Sequence, residues 1–420
     1  MGFLRLENHG TVTGLEEIRR LRREELTQHL TLDEFAFQFQ FDPETRQQIL
    51  HEVDAATILG CFIDGELVAQ AQVLPLTAYV AGTPYAMGGV ASVATWPEYR
   101  RGGKVARLLR RALLEMREAG QTLSMLAPFS FAFYRKYGWE MLMERRLYTL
   151  SEREWPRFPD TGGRLERTTD WQRLSRIYEA YARRYTGMLS RTEHWWEQRI
   201  ARRKPGQRAV YINASGAETG YILYQVQQNV LTVHELVFLD EDARRGLWNF
   251  IANHDSMARE AKLVAPLDDT LPYLLDNPRI TQELEPYFMA RIVDVEAFLQ
   301  TYPFVPVDEA WRLLFSVTDT YAPWNEAGFQ VQWRDLANSS EKVCVHRMDG
   351  QAVGIQAQTT RGSSGELIVD VDIQDLTAML MGYQRPVRLW QMGRLHCDER
   401  AVALLERVVP QQTPYLLDFF

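Results

Sequence analysis

An α+β chain of more than one domain is what this sequence predicts, and three observations predict it. The chain has 420 residues, too many for one ordinary core, so two or three domains of about 100–200 residues each are expected. Short strand-like runs, turn signals and amphipathic helical stretches follow one another along it. A strand, an acidic residue, an Arg-rich turn, a Gly and a helix also occur twice, over 95–109 and again about 145 residues downstream. An internal duplication accounts for this echo; so does the general look of any strand-to-helix turn.

Taken in order, residues 14–57 read as helical and amphipathic. Within them Phe35-Ala36-Phe37-Gln38-Phe39-Gln40-Phe41 alternates, as a loop or strand with one apolar face would. Strands are expected over 58–62 and 67–75, joined by a hairpin turn at Asp64-Gly65, and over 86–95. Val105, Leu108, Leu109, Ala112 and Met116 then fall on one face of a helix. A strand follows over 122–126. The second copy comprises strands over 221–226 and 231–239 and a helix from Glu241 to His254. A third section begins near Ala290, with strands over 342–347, 354–358 and 366–372, a turn at Met348-Asp349-Gly350, and helices over 376–381 and 398–405. The sequence closes on Pro414-Tyr415-Leu416-Leu417-Asp418-Phe419-Phe420. Most termini are polar and frayed, so burial of the two Phe side chains is expected here. The resulting division is 1–150, 151–289 and 290–420.

Composition narrows the function classes. Apolar residues make up 46% and charged residues 24%, an ordinary globular balance. No apolar run approaches the roughly 18 residues of a membrane span. The first residues, Met1-Gly2-Phe3-Leu4-Arg5-Leu6, show no secretory h-region, and Leu6 stands where a myristoylation motif wants Ser or Thr. Three isolated cysteines, Cys61, Cys344 and Cys397, fit a reducing cytoplasm rather than a disulfide framework. A net charge of −8 makes a poor general nucleic-acid binder and suits a polycationic substrate weakly. The eight histidines show no metal-ligand spacing, so no metal is expected.

The most informative stretch is Val93-Ala94-Thr95-Trp96-Pro97-Glu98-Tyr99-Arg100-Arg101-Gly102-Gly103-Lys104-Val105-Ala106. A strand delivers the chain to a Gly- and Arg-rich turn where a helix starts. The first helical turn has free N–H groups and a positive dipole end. Glycines admit a phosphate close to that backbone, and arginines add charge-assisted bonds. The same residues also suit a solvated surface loop. In the echo, Arg244-Arg245-Gly246 lacks the second Gly and places Trp248 in the first turn, where an indole would crowd a pyrophosphate. That copy is expected to be structural. Asp33, Glu34 and Asp42 beside the Phe run either line an acidic, aromatic amine pocket or belong to ordinary packing. His194-Trp195-Trp196-Glu197 reads as an aromatic helix face against a neighbour.

The segment Arg100-x-x-Gly103 resembles the acyl-CoA signature of GNAT-type N-acetyltransferases, with Val105 departing from its last position. Phe133-Tyr134-Arg135-Lys136-Tyr137-Gly138-Trp139 resembles a second block of the enhanced intracellular survival (Eis) family, and the three-part chain with an apolar end is similar to it too. The resemblance implies two tandem GNAT domains of mixed sheets flanked by helices, then a sterol-carrier-like α/β domain. It implies acetyl transfer from acetyl-CoA to an amine by direct attack in a ternary complex. Tyr134 would be the general acid, with Tyr137 its rival, and the main-chain carboxylate of Phe420 the base. The N–H groups of Val93, Ala94 and Thr95 would hold the acetyl carbonyl. The turn Arg100, Arg101, Gly102, Gly103, Lys104, Val105 and Ala106 would hold the pyrophosphate, with Phe129 and Ser130 near the pantetheine. A multi-amine such as an aminoglycoside is the implied substrate and a homohexamer the implied assembly. A protein-lysine or polyamine acetyltransferase shares the same donor motifs; a non-catalytic acyl-CoA- or lipid-binding protein is the alternative of another class.

Overall fold

A computed structural model of the chain describes residues 15–333, 343–348 and 367–420. The expected strand 354–358 and the Asp349-Gly350 turn lie outside the described residues. The chain divides into two compact units, one taking the chain up to Leu74 with Gly89–Glu115, the other Pro75–Gly88 with Met116–Phe420.

In the first unit, Glu16–Arg20 pairs antiparallel with Ile58–Ile63, which pairs antiparallel with the strand Glu66–Val80. The expected all-helical 14–57 is therefore corrected at its start. A strand as polar as Glu16–Arg20 is held by its neighbours: Arg19 lies over the Phe62 ring at 3.8 Å and bonds Glu25 at 2.7 Å. The long side chain covers apolar surface while its head keeps a charged partner. The hairpin turn stands where the sequence puts it. Asp64 and Gly65 both have positive φ, 51° and 87°, as a twist-matched two-residue turn requires.

Two helices follow the first strand, Leu26–Phe37 and Pro43–Glu52. The first stops at Gln38, whose φ of 58° is left-handed, so the Phe run is a helix end and the loop after it, not a strand. Asp42 caps the second helix, with Pro43 at its first position. The strand Thr83–Thr95 is longer than the expected 86–95. The helix Lys104–Glu118 buries Leu108, Leu109, Ala112 and Met116 as the spacing predicts, leaves Val105 half-buried, and buries Leu113 as well.

Eight strands of the second unit follow one another in a sheet in the order Leu123–Leu126, Thr281–Ile292, Glu140–Ser151, Glu260–Ala265, Val230–Phe238, Glu218–Gln227, Gln207–Ile212, Arg164–Arg167. Within it Val230–Phe238 and Glu260–Ala265 run parallel. The strand Thr281–Ile292 enters between two strands from far earlier in the chain, with Ile292 opposite Leu123 and Ala290 opposite Glu140. Its last residues Phe288, Met289, Ala290 and Ile292 are buried, whereas 281–284 are exposed. Burial of each large apolar side chain contributes about 1.5–3 kcal/mol. Aspartates start the helices Trp171–Ala182, Glu241–Ala252, Val295–Thr301 and Glu399–Val408, each accepting a bond from the first turn. Two further hairpins turn on Ala81-Gly82 and Gln228-Asn229, again with positive φ throughout.

Beyond Val295 a five-stranded sheet forms in the order Val343–Met348, Ala327–Trp333, Trp311–Thr318, Leu367–Asp372, Leu395–Cys397. Trp311–Thr318 and Leu367–Asp372 are parallel, and the helices Ile373–Leu380, Pro386–Gln391 and Glu399–Val408 accompany them. The buried Arg291 at the end of the preceding strand bonds Asp319 and the Tyr137 carbonyl. Its guanidinium fills the space a Cβ on Gly138 would need, and Gly138 has a φ of +89°. Glycine is thus required there twice over.

Candidate active site

In the first unit the strand Thr83–Thr95 carries an irregularity close to its end. Ser92 has a φ of 50°, left-handed for a non-glycine inside a strand, as at a bulge. Its hydroxyl donates to Asp33 at 2.9 Å, and Gln70 donates to the same carboxylate at 2.7 Å. Burial raises the Asp33 pKa, against the opposing pull of His29, Ser92 and Gln70. The next residues are Val93, Ala94 and Thr95, of which the last two are buried. Arg100 then folds back to donate from Nε to the Thr95 carbonyl at 3.3 Å.

The turn that follows is open. Arg101 and Gly103 have φ of 65° and 73°, and the first main-chain bond of the helix runs from Arg107 to the Gly103 carbonyl at 3.1 Å. Among the described residues, the N–H groups of Arg101, Gly102, Gly103, Lys104, Val105 and Ala106 have no protein acceptor. Residues 101–103 are exposed and 104–106 half-buried. A row of unpaired N–H groups at a helix start, beside Arg100 and Arg101, is an arrangement that suits an anion.

The echo in the second unit is closed. Asp240 occupies the helix start and accepts from Ala243 N–H at 2.7 Å. Arg244 is buried and bonds Glu241 at 2.6 and 2.7 Å. A Cβ on Gly246 would overlap the Tyr211 ring, so this glycine serves packing. The expectation that this copy is structural has a different reason from the one the sequence suggested. Trp248 points into the core with Leu247 and Ile251, and the carboxylate of Asp240 does the work an anion would do.

Also in the second unit, Ser130 caps the short helix Phe131–Arg135 by accepting from Phe133 N–H at 3.3 Å. Tyr134 on that helix is 3% exposed. Its ring is held by Phe129 at 5.3 Å, Phe133 at 5.2 Å and Trp139 at 6.3 Å. Burial, reinforced by Tyr137, pushes its pKa well above that of a free tyrosine. Its hydroxyl has no protein partner among the described residues. Phe129, by contrast, is 67% exposed. Tyr137 packs edge-on against Tyr321 at 4.7 Å, and its carbonyl accepts from Arg291.

The segment 413–420 is held along its length. Thr186 donates to the Thr413 carbonyl at 3.3 Å and accepts from Tyr415 at 2.9 Å. Asp418 is buried and takes both carboxylate oxygens to Arg191 Nε at 3.1 Å. Arg191 turns its other nitrogens to Glu235 at 2.6 and 3.2 Å. Burial alone would raise the Glu235 pKa, but the charges of Arg191 and Lys204 outweigh it and hold the carboxyl at about 2. Folded pKa below unfolded means stability present above the unfolded ~4.3 and lost as pH falls towards about 2. Phe420 is 5% exposed and packs on Phe288 at 4.9 Å. Phe419 is 45% exposed, which corrects the expectation that both Phe rings are buried.

Of the two readings left open for the acids beside the Phe run, local bonding favours packing. Asp33 is bound to Gln70 and Ser92, Glu34 is paired with Arg46, and Asp42 caps a helix. The rings remain: Phe35, Phe37 and Phe39 are exposed, and Phe35 lies 4.7 Å from Trp96. Among the described residues no group of His, Cys, Asp and Glu is placed to hold a metal, and no helix is long and apolar enough to cross a membrane. Arg191, Glu235 and Asp418 escaped sequence reading. One signal was there: a lone carboxylate in a buried apolar run must find a partner.

Comparison with known proteins adds independent findings. An acetyltransferase (GNAT) domain model matches residues 17–142, a second acetyltransferase (GNAT) model residues 187–292, and a sterol carrier protein domain model residues 295–417. A Streptomyces griseus protein named as an uncharacterized N-acetyltransferase is 26% identical over 280 residues, which is 59% of this chain and 66% of that protein, just under two thirds of its length. A solved structure from Enterococcus faecalis, described as a probable N-acyltransferase, superposes with a TM-score of 0.86 at 26% identity, covering 97% of this chain and all of the other. Eis1 from Mycobacterium abscessus shares the fold, with a TM-score of 0.75 at 22% identity over 97% of this chain and 100% of its own. The enzyme class common to the domain models and the curated relative is N-acetyltransferase. The chain therefore carries two GNAT acetyltransferase domains in tandem, an α+β arrangement, followed by a sterol carrier protein domain.

Proposed function

We propose that this protein is an acetyl-CoA-dependent N-acetyltransferase of the Eis kind, acting in the cytoplasm as a homohexamer on a polycationic amine such as an aminoglycoside. The observation that carries the reading is the contrast between the two copies. Among the described residues, the first keeps six consecutive N–H groups without an acceptor beside Arg100 and Arg101, while the second caps the same turn with its own Asp240. An open turn of this kind suits a pyrophosphate.

The chemistry follows from the residue types. Once deprotonated, the amine nitrogen attacks the acetyl carbon, the C–S bond breaks, and the proton that the nitrogen sheds on becoming an amide passes through solvent to the coenzyme A thiolate. The N–H groups of Val93, Ala94 and Thr95 stabilise the oxyanion, and Phe129 and Ser130 border the pantetheine arm. Tyr134 keeps its proton at neutral pH because its pKa is raised, and it donates to the departing thiolate. A thiol of pKa ~8.5 is more acidic than an ordinary tyrosine, and more so than Tyr134 with its raised pKa, so stabilisation by the O–H dominates over full transfer. The main-chain carboxylate of Phe420 receives the proton from the ammonium, whose pKa is ~10 by analogy with Lys.

Gly103 offers one check on the donor turn. A side chain at its φ of +73° costs about 1–2 kcal/mol. Gly103→Val is expected to raise the KM for acetyl-CoA about tenfold, with kcat at saturation near the parent value. An unchanged KM would remove the turn from the donor site. The substrate class is tested by mass-resolved acetylation of an amine panel with acetyl-CoA. Acetylated aminoglycosides are expected. Transfer to peptide lysines or polyamines alone replaces this substrate class, and absence of acetyl-CoA binding by titration calorimetry ends the enzymatic reading.

A further inference from the structure

We infer that the second GNAT domain, whose own donor turn is closed, serves as the holder that positions the carboxylate of Phe420, with Asp418 as the anchored residue and Arg191, Trp195 and Tyr287 as its grip. The inference rests on the reading of that carboxylate as the base.

Five donors converge on two consecutive residues. Arg191 Nε reaches both Asp418 oxygens at 3.1 Å, Trp195 Nε1 donates to one of them at 2.8 Å, and the Tyr178 hydroxyl, shared with the Leu189 carbonyl at 2.9 Å, lies 3.2 Å from the other. The main chain is gripped as well. Tyr287 donates its hydroxyl to the Asp418 carbonyl at 2.8 Å, and Lys204 its ammonium to the Leu417 carbonyl at 2.7 Å. Arg191 is itself fixed by Glu235, and it lies 3.8 Å from the Tyr178 ring and 4.5 Å from that of Trp196. Trp195 and Trp196 thus do more than pack. They bond and face the charges that hold the last residues.

The way Glu235 reaches this place is informative. The strand Val230–Phe238 slips register between Val233 and Glu235, and a bulge re-aims the side chain that follows it. In the first copy the irregular strand position belongs to Ser92, next to the residues proposed to hold the acetyl carbonyl. In the second copy the strand irregularity presents a carboxylate to Arg191. The duplicated architecture is retained and its use has changed.

Stability alone does not account for the cluster. Arg191, Glu235 and Asp418 have side chains no more than 1% exposed, and apolar residues of equal volume commonly hold a core as well as buried ions do. What the ions add is geometry. Two residues span at most about 7 Å, so fixing Asp418 from three sides confines the Phe420 carboxylate to a small volume. Displacing a reacting group by about 1 Å costs on the order of a hundredfold in rate.

The test uses the full chain and two variants of graded severity. Tyr287→Phe removes one bond to a main-chain carbonyl and keeps the ring beneath Arg145. Asp418→Asn removes the anchoring charge while keeping the shape. Both are expected to lower kcat by about tenfold to a hundredfold, with the KM for acetyl-CoA unchanged and, for Tyr287→Phe, a melting curve superimposable on the parent. Parental kcat in both folded variants overturns the inference, as does a kcat loss that tracks melting in both. One residue appended after Phe420 separates the two layers. If the extension lowers kcat but neither substitution does, the base stands and the holder falls. If the extension leaves kcat unchanged, the base falls first.

Discussion

Tyr134→Phe is expected to lower kcat by at least about a hundredfold while leaving the KM for acetyl-CoA within about twofold. The substitution deletes one oxygen. The ring stays packed by Phe129, Phe133 and Trp139, so neither a cavity nor an orphaned partner is created. The hydroxyl has no protein acceptor among the described residues, and the fold therefore loses no hydrogen bond. What is lost is a donor that burial keeps protonated. An interaction made only as charge develops on the sulfur affects turnover rather than donor binding. Tyr137→Phe is the control. Its ring is committed to Tyr321 and Phe133, and its kcat is expected to stay within a few-fold of the parent. Steady-state kinetics with saturating amine decide between the two, with a melting curve to confirm folding. Equal effects at both positions, or none at Tyr134, remove Tyr134 from the proton-transfer role.

The two halves of the proposed site differ in how far the sequence discloses their backbone. The turn Arg100–Ala106 and the block around Tyr134 are contiguous stretches, and their residue types constrain the backbone locally. Gly103 and Gly138 take positive φ, a requirement written in the sequence itself. The Asp64-Gly65 turn was readable for the same reason. Ala81-Gly82 and Gln228-Asn229 make turns of the same kind, but they lie between apolar runs that read as separate strands. Non-local features were hidden. Nothing within Thr281–Ile292 states that it will enter a sheet beside Leu123–Leu126, because strand partners are chosen by the face each strand offers, not by nearness in the chain. Arg191, Glu235 and Asp418 lie 44 and 227 residues apart counted from Arg191, and each looks ordinary in its own stretch. The acids near the Phe run left two readings open that only the structure separates. Their composition suggested a pocket for a cation, whereas local capping and pairing had already used Asp42, Glu34 and Asp33.

Appending a single glycine after Phe420 is expected to lower kcat by about 10²–10⁴-fold, the range over which a positioned base contributes. The structure explains why so small a change should matter. Residues 417 and 418 are gripped through their carbonyls and the Asp418 side chain, so an added residue cannot be absorbed by sliding the segment backwards. Phe420 is buried against Phe288, and a side chain lodged there keeps its place while the carboxylate moves on by about 3.3–3.6 Å, one residue's length. The peptide carbonyl left at position 420 is neutral and accepts no proton at physiological pH. Acetyl-CoA binding, measured by titration calorimetry, is expected to be unchanged, because the open turn at Arg101–Ala106 is untouched. The same protein with a removable extension supplies the reversal: cleavage back to Phe420 should restore turnover. If kcat is the same before and after cleavage, the base is another group, and the buried charges around Asp418 hold the tail for a reason unconnected with proton transfer.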